Sequence, residues 1–343
     1  MLWNSENGIV SGETGMFLGK NAVRLLFPAE KILKVYNSTL GTVYEEGRDF
    51  THEPGSDLLY KTDDTAMPVL PPEALYPEPE TAILFPDMDA NAISGGPDGK
   101  YLIFSRKNFF ACQQIEIDYK VIENTVFPDN PPLKKGQLPR FTQLLEAGKN
   151  VRITLIGDSI SAGVNSTKAM DCPPYAPPYI ETFAADLEKR FGVKVELSNF
   201  AIGGTGCRQA FEIEEKWLNS PADLLIIAYG MNDFSHMSAE EYRATLQKIM
   251  AAMHAAQPET EFVLVTSMTG NPAWCNTPIG PDVEFAEALR TLSAENTAIA
   301  DVRPFWVKML ERKDFYDLTG NGVNHPNDFG YRAYAKVLAD LFR

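Results

Sequence analysis

Residues 151–161 read Val-Arg-Ile-Thr-Leu-Ile-Gly-Asp-Ser-Ile-Ser. Most of the first six residues are apolar or β-branched, and a Gly-Asp-Ser turn follows at once. A short apolar run closed by a glycine turn has the character of a strand buried on both faces of a parallel sheet. Ligands of open parallel sheets lie beyond the carboxyl ends of the strands, which is where Ser159 falls. A hydroxyl there can serve as a nucleophile or can cap a following helix. This stretch alone leaves both open, and residues further along have to separate them.

Outward from that strand, similar runs recur at 194–200, 223–229, 261–266 and 298–302, with helical periodicity between them. Ile180, Phe183, Ala184, Leu187 and Phe191 share one helical face, as do Tyr242, Leu246, Ile249, Met250 and Met253. Phe285, Leu289 and Leu292 form a third such face, and Tyr334, Val337, Leu338 and Leu341 a fourth, in a helix after Asn327. Five strands alternating with helices predict an α/β domain with a doubly wound five-stranded parallel sheet. Residues 1–126 differ: short apolar runs such as 22–27 and 32–36 are broken by Gly, Pro, Asn and Asp, and 114–121 alternates polar with apolar. That pattern predicts an all-β module, sandwich or jelly-roll-like, with loops at 68–79 and 94–99. The Pro- and charge-rich stretch 127–136 reads as a linker. The expected domains are therefore 1–136 and 137–343.

Composition removes several classes of function. Of 343 residues, 46 are acidic and 31 basic, a net charge of −15, which argues against nucleic acid or an anionic membrane surface as partner. Hydrophobic content of 44% supports sizeable cores rather than disorder. No apolar stretch approaches the length of a membrane span. The N-terminus lacks the basic start and apolar run of a secretory signal, and the four cysteines (Cys112, Cys172, Cys207, Cys275) fit neither a zinc pattern nor a disulfide framework. The expectation is a cytoplasmic protein with free thiols, although a processed secreted form would read the same. No cluster stands at metal-ligand spacing, and 203–206 fits neither the dinucleotide nor the P-loop glycine pattern, so no metal and no cofactor are expected.

Several strand ends carry polar or glycine-bearing turns: Gly157-Asp158-Ser159, then residues 199–206 with Gly203-Gly204, then Gly230-Met231-Asn232-Asp233. Asn324-His325-Pro326 stands just ahead of the final helix. Acyl transfer needs a nucleophile, a base and donors aimed at the developing oxyanion. Ser159 is the candidate nucleophile and His325 the candidate base. The N–H of Ser159, the N–H of Gly204 and the amide of Asn232 are the candidate oxyanion donors, Gly204 because a residue without Cβ admits close approach of its backbone. Of the other histidines, His236 reads as a loop residue, His254 as structural and His52 as surface.

These blocks, taken in order, resemble those of the SGNH (GDSL-type) hydrolases, whose four hallmark positions match Ser159, Gly204, Asn232 and His325. The resemblance covers about 150–343 and implies a three-layer α/β/α serine esterase domain. One position departs from it: the family's acid, three residues before the histidine, is here Gly322. The resemblance therefore leaves either a Ser–His dyad with carbonyl support or a substitute acid, for which Asp317 and Asp301 are the candidates. A dyad beside a β-module is similar to two-domain carbohydrate esterases that remove acetyl groups, so the expected substrate is a short, acetyl-type ester on carbohydrate. Trp274 is a candidate lining residue of the acyl or sugar pocket, or an ordinary packing tryptophan. The alternatives are a lipase or thioesterase for longer acyl chains, and a non-catalytic carbohydrate binder with a degenerate site.

Overall fold

The computed structural model describes residues 2–4, 6–83, 91–105, 107–277 and 280–343. In the C-terminal half, strands β1 (Val151–Gly157), β2 (Val195–Asn199), β3 (Leu224–Ala228), β4 (Glu261–Val265) and β5 (Thr297–Ala300) form one sheet. The order is β2-β1-β3-β4-β5 and every pairing is parallel. The longer helices between and around them are α1 (Pro139–Glu146), α2 (Tyr179–Phe191), α3 (Ala239–Ala256), α4 (Pro281–Arg290), α5 (Val302–Leu310) and α6 (Asp328–Leu341).

Strand alternation assigns the layers. Leu224 and Ile226 of β3 and Val263 and Val265 of β4 join the core made with Phe183 and Leu187 of α2, Phe305 of α5 and Val337 and Leu338 of α6. Leu225, Ile227, Phe262 and Leu264 point the other way, into Leu246, Ile249 and Met253 of α3 and Phe285 and Leu289 of α4. Both faces are thus covered, as a wholly parallel sheet requires, and the domain is the three-layer α/β/α sandwich. Helix α3 starts where it does because Ser238 accepts from the Glu241 N–H while the Glu241 carboxylate accepts from the Ser238 N–H.

The five strand candidates are all present. The last one is shorter than its apolar run: β5 ends at Ala300, and Val302 already opens α5, a helix not expected from the sequence. The N-terminal half is all-β, as expected. Its larger sheet runs antiparallel in the order Trp3–Asn4, Ile9–Gly15, Ile115–Val121, Ala29–Asn37, Thr42–Tyr44. A second sheet orders Ala22–Arg24, Leu58–Lys61, Phe50–His52. Val10, Val35 and Ile117 of the first share a core with Val23, Leu59 and Phe50 of the second. The stretches read as loops hold some structure: Val69–Leu70 pairs in parallel with Phe17–Leu18, and a 3₁₀ turn at Pro97–Gly99 joins the hairpin Ala92–Ser94/Tyr101–Ile103.

The two halves share one apolar core, in which Val10, Ile117 and Trp3 run on into Phe305, Trp306 and Leu338. The stretch read as a linker belongs to this union. Phe127 stacks on Trp3 with ring centroids 5.4 Å apart, the Leu133 N–H donates to the Leu341 carbonyl (2.9 Å), and Asn130 Nδ2 donates to Asp340 Oδ2 (2.9 Å). Lys313 is fully buried between the halves and pairs with Glu13 at 2.9 Å, where Glu13 also accepts from Tyr119 Oη at 2.7 Å.

Burial raises three carboxyls at or near this seam and the sheet edge: Asp158 to about 7, Asp317 to about 6 and Asp328 to about 6. A folded-state value above the unfolded one means the folded chain binds more protons, so stability falls as pH rises through the interval from the usual carboxylate range to about 7. Relief of the −15 net charge acts in the same direction. Asp49, held down to about 2 by the Arg48 guanidinium, loses its contribution only below that interval, as pH falls from the usual carboxylate range toward 2. The melting temperature, followed by circular dichroism, will therefore be higher at pH 5.5 than at pH 8. A flat or inverted profile would mean these carboxyls are not held protonated by the fold.

Candidate active site

β1 delivers Ser159 to the carboxyl edge of the sheet through a turn that only glycine can begin. A Cβ at Gly157 would stand 2.6 Å from the Ala228 carbonyl oxygen and 2.6 Å from Ser161 Oγ. Asp158 Oδ1 accepts from the Ile160 N–H at 2.9 Å and fixes the bend. No helix begins at Ser159; turns follow to residue 171, and α2 starts only at Tyr179. The helix-capping reading of this serine therefore falls.

The glycine loop after β2 lies against the serine. A Cβ at Gly203 would meet Ser159 Cβ at 3.7 Å, and Gly204 has φ +78°, which favours a residue without Cβ. Asp233 clasps this loop to the β3 turn, its Oδ1 accepting from the Cys207 N–H at 2.8 Å. A Cβ at Gly206 would sit 2.4 Å from that oxygen, so the clasp needs glycine there. Asn232, on the same turn, donates one amide hydrogen to the Thr205 carbonyl (2.9 Å), leaving the other available. Among the described residues, neither the Ser159 N–H nor the Gly204 N–H has a protein acceptor.

The histidine is presented by a loop wound on one buried side chain. Asn321 Oδ1 accepts from the N–H groups of Val323 (2.9 Å), Asn324 (2.9 Å) and His325 (3.0 Å). Asn327 caps α6, accepting from the Gly330 N–H at 3.0 Å, so the helix start fixes where this loop ends. His325 Nε2 lies 2.8 Å from Ser159 Oγ, and both side chains are buried. Its other ring nitrogen, Nδ1, lies 2.7 Å from Oδ1 of Asn165, a buried residue of the turns after Ser159. Nothing in the sequence pattern singled out Asn165.

The substitute acids expected near His325 are elsewhere. Asp317 Oδ1 accepts from the Met16 N–H (2.7 Å) and its Oδ2 from the Asp314 N–H (2.9 Å), so it faces the N-terminal module. Asp301 pairs with Arg290 (2.7 Å) and accepts from Thr266 Oγ1 (3.0 Å) beside β4 and β5. Neither carboxylate reaches the imidazole. Trp274 does line a cleft of about 310 Å³, together with Gly204, Asn232, His236, Asn276 and Asn324. The N-terminal module braces the segment that carries Trp274: Trp274 Nε1 donates to the Ser94 carbonyl (3.1 Å) and the Cys275 N–H to the Gly95 carbonyl (2.8 Å).

A serine hydroxyl within hydrogen-bond reach of an imidazole, beside unfilled N–H donors, can attack an acyl carbon and hold the resulting oxyanion. Residues 155–333 match the model of the GDSL-like lipase/acylhydrolase family. The chain belongs to that family. It is accordingly a carboxylic ester hydrolase. Several solved structures are similar to it in fold. A two-domain esterase active on acetylated mannans aligns at 20% identity over 62% of this chain and 53% of its own, with a TM-score of 0.50. The acetylxylan esterase Axe2 from Geobacillus stearothermophilus aligns at 18% identity over 57% of this chain and 96% of its own, TM-score 0.46. A candidate GDSL-like lipase from Parabacteroides merdae ATCC 43184 gives 21%, 57%, 96% and 0.46. This chain thus spans about half of the two-domain esterase, and at these identities the likeness concerns the fold. Comparison with curated proteins gave no match.

Proposed function

We propose that this GDSL-family hydrolase removes short acyl groups, acetyl above all, from esterified carbohydrate. Ser159 Oγ attacks the ester carbonyl carbon while His325 Nε2 takes its proton. The N–H groups of Ser159 and Gly204 and the free amide hydrogen of Asn232 receive the oxyanion. Collapse expels the sugar hydroxyl, which takes the proton back from the imidazolium, and leaves acyl-Ser159. Water deprotonated by His325 then attacks the acyl carbon, and the carboxylic acid departs as Ser159 regains its proton.

The observation that carries this reading is the 2.8 Å contact of Ser159 Oγ with His325 Nε2 next to the cleft. The cleft is rimmed mainly by polar side chains, among them Arg208, Gln209, Asn276 and Thr277, with Trp274 as an aromatic face. Such a lining suits a hydroxyl-rich alcohol better than a long acyl chain. Likeness of fold to an esterase active on acetylated mannans supports the same substrate class. Initial rates on 4-nitrophenyl acetate, butyrate and octanoate test it. We expect kcat/KM to fall at least about 10-fold from acetate to octanoate, together with acetate release from acetylated oligosaccharides. A rate that climbs with chain length would make the protein a lipase or thioesterase instead.

A further inference from the structure

The GDSL-type acid is missing from its usual place because that place is filled. A Cβ at Gly322 would stand 2.5 Å from the Ile103 carbonyl oxygen and 2.6 Å from Phe110 Cζ, both from the N-terminal module. The segment that blocks position 322 also reaches the other side of the imidazole. The Ser105 N–H donates to the Asn321 carbonyl (3.1 Å), and the Ser105 carbonyl accepts from Asn165 Nδ2 (3.1 Å). Asn165 lies between that carbonyl and His325.

The hydrogen bonds fix which way the Asn165 amide faces. A carbonyl oxygen can only accept, so the amide nitrogen must face Ser105 and the amide oxygen must face His325 Nδ1. An amide oxygen can only accept, so Nδ1 carries the hydrogen and Nε2 turns its lone pair to Ser159 Oγ. That is the tautomer a general base needs. The backbone is arranged around this contact. Asn165 has φ +68°, a left-handed conformation that asparagine tolerates better than most residues. A Cβ at Gly320 would stand 2.7 Å from Asn165 Cβ, so the histidine loop admits Asn165 only by having glycine there.

We propose that Asn165 is the positioning residue of the catalytic set, a neutral stand-in for the family's acid, held in register by the Ser105 carbonyl of the N-terminal module. The module is then part of the catalytic apparatus rather than an appended glycan binder. This inference rests on Ser159 and His325 being the nucleophile and base.

The test measures kcat, KM and the pH profile of kcat/KM on 4-nitrophenyl acetate for the wild type, Ser159→Ala, Asn165→Ala and Asn165→Asp, with a thermal melt of each. Asn165→Ala should lower kcat about 10²-fold or more with KM little changed. Asn165→Asp keeps an acceptor for Nδ1 but cannot donate to Ser105. It should recover at least about 10-fold over the alanine variant, with the acid limb of kcat/KM moved to higher pH because a carboxylate favours the charged imidazolium. A residue that merely braced Ser105 would leave both variants equally impaired and the acid limb unmoved, which overturns the proposal, as does wild-type kcat in Asn165→Ala. If Asn165→Ala does not fold, the isosteric aspartate variant decides by its acid limb alone. Full activity in Ser159→Ala would instead remove the reading beneath the proposal, and is told apart by that variant.

Discussion

Ser159→Ala will lower kcat on 4-nitrophenyl acetate by about 10³- to 10⁶-fold, with an unchanged melt. The hydroxyl is small and sits beside a pre-formed loop, so its loss removes little packing: the Cβ that faces Gly203 is one that alanine keeps. What is lost is the atom that forms the acyl bond, 2.8 Å from the imidazole nitrogen placed to take its proton. His325→Ala should cost nearly as much, and the double variant little more than either single one, because residues acting as a unit are not additive. A fluorophosphonate should label the wild type and not Ser159→Ala. Activity within about 10-fold of wild type in Ser159→Ala would place the chemistry on another residue and leave the cleft as a binding site.

Much of this arrangement was legible because parallel sheets bring the carboxyl ends of their strands to one edge. Once five strands were recognised from apolar runs, Ser159, Gly204 and Asn232 had to lie near one another, and the final helix had to return His325 to them. The partner of His325 Nδ1 was not legible. Asn165 lies 160 residues from His325 in the chain, in a run of turns without periodicity, and Ser105 lies a further 60 residues back. Proximity in sequence pointed the wrong way: Asp317, eight residues before His325, turns into the seam with Met16 and the buried Lys313. The 127–136 stretch misled for a related reason. Its prolines and charges mark irregular backbone, but composition carries no sign that Phe127 has Trp3 to stack on.

Returning the family's acid to its usual position should damage this protein rather than complete it. Gly322 has φ +87°, where any side chain is strained, and its Cβ would overlap the Ile103 carbonyl oxygen at 2.5 Å and Phe110 Cζ at 2.6 Å. The residue cannot simply swing away. Its carbonyl accepts from Asn271 Nδ2 (2.7 Å) and its N–H donates to Thr319 Oγ1 (2.9 Å), inside the loop that carries His325. Gly322→Asp should therefore cost about 3 kcal/mol or more, seen as a melting point lower by at least about 5 °C, and kcat should fall with it. Gly322→Ala separates the causes. If backbone strain and the Ile103 contact govern, alanine loses most of the same stability without bringing a charge; if a buried carboxylate were the difficulty, alanine would be nearly silent. A Gly322→Asp enzyme that melted like the wild type and turned over faster would mean that position 322 is open to a side chain. The N-terminal module would then play no part in excluding the acid.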